Sequence, residues 1–117
     1  PVLRLDTLAG SLPRPPKLVK IDGEGSELQI LAGARRLIAA RRTLFMVEFH
    51  VSLVGEFGGT RDDLYPFFPP EHWTAALIED AGLRPLDGDA LHALLDPETQ
   101  AGRNPSLLFT PRPQEPR

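Results

Sequence analysis

The sequence has no cysteine and only one residue each of methionine, tryptophan and tyrosine. Without cysteine there is no disulfide framework, no thiolate nucleophile and no zinc–thiolate site, and a reducing, cytoplasmic setting is expected. No apolar run approaches the ~20 residues that a membrane span needs, and no signal-peptide pattern opens the chain. Positive charge is not in excess. The net charge of -3 gives no basic face for nucleic acid or for an anionic membrane. What the chain does have is proline, 13 of 117 residues, about twice the ordinary ~5% usage. Prolines cluster at 13–16, 66–70 and 111–116, where they punctuate elements at little cost. The length suits one domain, over 1–110, followed by a Pro-rich tail at 111–117 that is expected to be disordered.

Hydrophobic patterning predicts an α/β chain. Val2 to Leu5 reads as a short strand and Asp6 to Leu12 as a short helix or turn. Leu18 to Asp22 is a β-like run stopped by Gly23 and Gly25. Ser26, with Gln29 three residues on, predicts a capping box. In the helix that follows, Ile30, Leu31, Ala34, Leu37 and Ile38 form one apolar stripe, and Gly33 marks a possible break. Leu44 to His50 is a second, nearly continuous apolar strand. Strand, helix and strand then make a βαβ unit with parallel strands. A long loop over 51–70 precedes a predicted helix from about Glu71 to Ala81, with Pro70 at its start and Gly82 past its end. Leu83 to Leu86 reads as an edge strand, Asp89 as the cap of a helix through Leu95, and Ser106 to Thr110 as a last strand. The sum is half of an open Rossmann-like sheet, the half without a first βα turn.

Ligands of such sheets sit outside the carboxyl ends of the strands. Those ends here carry Asp22, Gly23 and Glu24 on one strand, and Glu48 and His50 on the other. Alternation puts Lys20 and Asp22 on one face of the first strand, and Glu48 and His50 on one face of the second. A lysine within a core strand calls for a partner. Glu48 is the candidate, and the pair reads equally as a structural ion pair or as part of a site. Glu24 either lines the crevice or simply favours the start of its helix. The loop over 51–70, with Phe57, Tyr65, Phe67 and Phe68, reads as a lid over an acceptor pocket or as a connector tucking aromatics onto the core. The lid reading is preferred for its length.

Lys17 to Glu27 (KLVKIDGEGSE), continuing Leu28 to Ala34 (LQILAGA), resembles the hallmark segment of FkbM-type methyltransferases. Val47 to His50 resembles that family's next strand, and Leu5-Asp6 the step that precedes the segment. Gly23, in place of the more usual Val or Thr, and Leu83, in place of Tyr, depart from the pattern. The resemblance implies a class I methyltransferase sheet, of which this chain carries strands four to seven. It also implies methyl transfer from S-adenosylmethionine to a hydroxyl of a sugar or natural product. Asp22, His50 and Glu48 are then the catalytic candidates, and Asp22 and Gly23 the cofactor contacts. Glu24, Lys20 and Tyr65 are the candidates for binding the small-molecule or glycan acceptor. The glycine-rich turn that grips such a cofactor is absent from these residues. The chain is therefore expected to be inactive alone and to need the N-terminal half of the same domain as its partner. Two rivals stand beside this reading: a metal-dependent enzyme using Asp22, Glu24, Glu48 and His50, and a non-catalytic docking half-domain.

Overall fold

Leu18–Ile21 (β1) and Leu44–Glu48 (β2) pair in parallel in the computed structural model, which describes residues 2–114. Two short helices, Glu27–Ala32 (α2) and Arg35–Ala40 (α3), carry the crossover between them. The predicted break falls at Gly33, which closes α2. An aspartate from upstream meets the open start of α3. Asp6 accepts the N–H groups of Arg36 at 2.9 Å and Leu37 at 3.0 Å, and its own N–H donates to Gly33 O at 2.8 Å. Asp6 belongs to the helix Leu5–Gly10 (α1). The strand expected at 2–5 does not form, because no neighbouring strand offers it a ladder; Val2 and Leu3 are exposed. The capping box is also absent. Ser26 Oγ donates to Gly23 O at 2.8 Å, and Gln29 points to Phe57 O.

The helix predicted over 71–81 is a strand. Trp73–Glu79 (β3) pairs antiparallel with Gly82–Leu86 (β4). Trp73 and Leu77, four residues apart, share a face in either geometry, so that pair does not discriminate between periods. On one face of the strand Trp73 and Leu77 are buried, while Thr74 on the other is exposed and Ala76 and Ile78 are half-buried. Gly82, read as a helix stop, instead sits at φ +130 directly after the hairpin turn. Leu53–Glu56 (α4) and two 3-10 turns, Arg61–Asp63 and Tyr65–Phe67, structure the loop before β3. Gly88–Leu94 (α5) is capped by Asp87, which accepts Ala90 N–H at 2.7 Å, and not by Asp89.

The last strand, Ser106–Pro111 (β5), lies between β2 and β3 and is antiparallel to both, giving the order β1-β2-β5-β3-β4. The fold is therefore α/β with a mixed five-stranded sheet, consistent with a Rossmann-like arrangement. Order runs into the expected tail: Pro111 pairs with Trp73, and Arg112 donates to His72 O at 2.7 Å and to Pro70 O at 2.8 Å. The part of that tail at 115–117 lies outside the described residues.

One sheet face builds the core. Phe45, Val47, Leu107, Phe109, Trp73 and Leu77 pack there with Leu31, Leu37 and Ile38 from the crossover helices. The loop over 51–70 adds Val54, Leu64 and Phe68, and the Phe68 ring stacks on Phe109 with centroids 4.0 Å apart. Its aromatics thus follow the connector reading, except for Phe57, which is exposed. The opposite face carries Leu18, Lys20, Met46, Leu108 and Ile78 and is half-buried to exposed. Among the described residues no helix is long and apolar enough to cross a membrane.

Candidate active site

The carboxyl ends of β1 and β2 lie side by side because the strands are parallel and in register, with Ile21 opposite Val47. After β1 the chain turns through Glu24 and Gly25, whose φ values are +49 and +107. A side chain at Gly25 would meet Leu53 O at 2.8 Å, so only glycine fits there. Gly23 closes the turn into α2 by accepting Ser26 N–H at 3.1 Å.

The residue that joins the two strand ends is Glu27, at the start of α2 and fully buried. Its Oε2 accepts Gly25 N–H at 2.7 Å and its Oε1 accepts His50 N–H at 3.1 Å. Oε1 also bonds the His50 ring at Nδ1. The sequence reading named Glu27 only as the end of the segment Lys17 to Glu27 and gave it no role. Its signal was position: with Ile30, Leu31 and Ala34 it falls at i, i+3, i+4 and i+7 of the apolar stripe. A carboxylate on a core-facing stripe requires partners.

His50 is buried, and both atoms near its Nδ1, the Glu27 carboxylate and Glu48 O at 3.1 Å, are acceptors. In the neutral ring Nδ1 therefore carries the proton, and Nε2 keeps its lone pair. Nε2 points at Asp22, 3.5 Å from Oδ1. Burial works against charging the imidazole, but the Glu27 bond and charge, followed by the charges of Glu48 and Asp22, outweigh it and raise the pKa. Glu48 is also raised, by a side-chain hydrogen bond with Asp22, by burial and by the Asp22 charge. His50 and Lys20 act in the opposite sense on Glu48.

The strand ends thus bring together Asp22, Glu48 and His50, each offering one ligand-type atom within 4.8 Å of the others. Glu24 is not in that group; it is exposed on the turn. Lys20 does not pair with Glu48. It is exposed opposite Met46, on the sheet face that no core residue covers, so the desolvation that would have demanded a partner does not arise. Tyr65 lies elsewhere. Its hydroxyl meets His92 Nδ1 at 2.7 Å at the edge of a cavity of about 900 Å³ between β3, β4 and α5, lined also by Trp73, Pro85 and Phe109. None of Asp22, Glu48 and His50 lines that cavity.

The model of the FkbM methyltransferase domain matches residues 1–85, a span that holds both strand ends, the Glu27 carboxylate and the β3–β4 hairpin almost to its close. Comparison with the curated proteins and with the solved structures found no match. A methyltransferase domain match over nearly three quarters of the chain agrees with the parallel β1–β2 unit and the polar cluster at its end. The chain belongs to the FkbM methyltransferase domain family.

Proposed function

We propose that this chain forms the acceptor side of an S-adenosylmethionine-dependent O-methyltransferase acting on a hydroxyl of a sugar or natural product. The observation that carries the proposal is the Glu27–His50–Asp22 line, which ends in an open Nε2 and a half-exposed carboxylate 3.5 Å apart at the strand ends. S-Adenosylmethionine, when bound, supplies an electrophilic methyl on a sulfonium. The donor set fits that group, since a cationic sulfonium is favoured beside Asp22 and Glu48; Asp22 and Gly23 are the residues that would border it. Glu27 fixes the ring of His50, and the Asp22–His50 pair takes the proton that the acceptor hydroxyl gives up. Glu48 and Glu24 orient the acceptor, and positioning of the two reactants contributes most of the rate.

The N–H groups of Gly25 and Ser26 at the start of α2 are already bonded to Glu27 and Gly23. This supports the reading that the nucleoside is held by an upstream half of the same class I domain. The free edge of β1, where Leu18 is 48% exposed, is the place for that half to pair. With β1, β2, β3 and β5 read as strands four to seven of such a sheet, the antiparallel β5 between β2 and β3 is compatible with it, and β4 is an additional strand at the edge. In this reading the enzyme works in the cytoplasm.

The test is transfer of labelled methyl to hydroxyl acceptors by the domain with its upstream residues restored. Asp22→Ala and His50→Ala are each expected to lower turnover by about 10²-fold or more. Turnover unchanged in both would sink the proposal. The 117 residues alone are expected to show no tight calorimetric binding of S-adenosylmethionine.

A further inference from the structure

His50 is built as a metal-ligating histidine is built. Its side chain is only 8% exposed, its Nδ1 is fixed by the buried Glu27 carboxylate, and its Nε2 makes no hydrogen bond among the described residues. A metal-ligating histidine usually gives the N–H of its other ring nitrogen to a carboxylate, which fixes the tautomer and the ring's orientation. Nε2 opens onto Asp22 and Glu48, and the three groups converge within 4.8 Å. The two carboxylates come from adjacent parallel strands, so the backbone itself brings like charges together. A cation at their midpoint removes the repulsion, and no side chain among the described residues forms a salt bridge with Glu48. Lys20, the nearest candidate by sequence, forms no ion pair there.

We propose that Asp22, Glu48 and His50 bind one divalent cation of the Mn²⁺ type. Two carboxylates and one imidazole match Mn²⁺ better than Ca²⁺, which prefers all-oxygen sites with more ligands, and the absence of thiolates disfavours softer metals. With the imidazole neutral, the charges of the two carboxylates balance those of the ion. Three protein ligands leave positions open for water and for acceptor oxygens.

The role of the cation in turnover rests on the methyltransferase reading above; its binding does not. With Nε2 occupied, the acceptor hydroxyl coordinates the ion and is acidified by it. Its proton passes to the free oxygen of Asp22. The new bond joins the acceptor oxygen, now without its proton, to the methyl carbon, the sulfur–methyl bond breaks, and the sulfonium leaves as a neutral thioether.

The experiment is titration of Mn²⁺ into the chelator-stripped 117-residue chain, followed by loss of the free-ion paramagnetic resonance signal. One ion per chain is expected, with affinity falling about tenfold or more in Asp22→Asn and Glu48→Gln and about 10–100-fold in Glu27→Gln. Asp22 is half-exposed, so Asp22→Asn tests the site even if Glu27→Gln disturbs folding. A free-ion signal that does not fall, or falls equally in the wild type and in both ligand variants, overturns the proposal. With upstream residues restored, tight Mn²⁺ binding without methyl transfer would sink the enzyme reading and leave the cation site standing. Full methyl transfer after exhaustive chelation would leave the enzyme reading standing and overturn the role of the cation in turnover.

Discussion

Glu27 holds His50 twice, once by its backbone N–H and once by its ring, and so ties the start of α2 to the end of β2. The same carboxylate takes Gly25 N–H, so one buried side chain satisfies donors from two strand ends. The polar cluster at Asp22, Glu48 and His50 depends on that single anchor.

Replacing the anchor exposes its role. Glu27→Ala leaves the N–H groups of Gly25 and His50 and the imidazole without partners in a dry setting, and is expected to destabilise the fold by about 3–5 kcal/mol. Glu27→Gln keeps the volume and one acceptor oxygen, so a smaller loss of roughly 1–3 kcal/mol is expected. Urea unfolding of both variants gives the comparison, and equal losses would contradict it.

The ionisation of His50 should carry the mark of its neighbours. In the presence of a chelator its ring is expected to titrate above the ordinary 6.5, since Glu27, Glu48 and Asp22 outweigh burial. Glu27→Gln should lower that value, as followed by the ring proton resonances. The sign for stability follows from linkage. A folded pKa above the unfolded one contributes stability that is complete below about pH 6.5 and fades as pH rises through the folded value. Glu27→Gln should flatten that slope; an unchanged slope would mean that the pair does not set it.

Gly25 is constrained by both backbone and space. Gly25→Ala combines φ +107 with a contact of 2.8 Å to Leu53 O, so α4 must move away from the turn. A loss of about 1–3 kcal/mol from the backbone alone is expected, with the clash adding to it. Gly82 has φ +130 but open space around it. Gly82→Ala should therefore be the milder of the two in thermal melts, and the reverse order would refute the steric account.

The βαβ unit and the site strands were legible in the sequence because both strands are nearly continuous apolar runs between clear breakers. Asp22, Glu48 and His50 came from the rule that strand ends hold chemistry, and the fold brings these three together. β3 was misread because Trp73 and Leu77 fit two periods, while Pro70 and Gly82 mimic helix boundaries. Pairing with β4 and with β5, the latter thirty or more residues away, decides in favour of a strand. Glu27 was missed because the apolar stripe was read from Ile30 onward, and the carboxylate one turn earlier on the same stripe was not counted with it. Tyr65 was placed by its loop and not by its neighbour; its partner is His92, on α5.

The position of β5 has a consequence for how the chain is made. β5, the last of the five strands in sequence order, fills the centre of the sheet, between β2 and β3. Until Ser106–Pro111 leaves the ribosome, the β1–β2 unit and the β3–β4 hairpin are two separate pieces, and β2 and β3 each keep a bare inner edge. Such pairing between distant segments is slow, and bare edges invite association with other chains in the meantime. The cluster at Asp22 and His50 can form early, but the platform beneath it is completed only when β5 arrives.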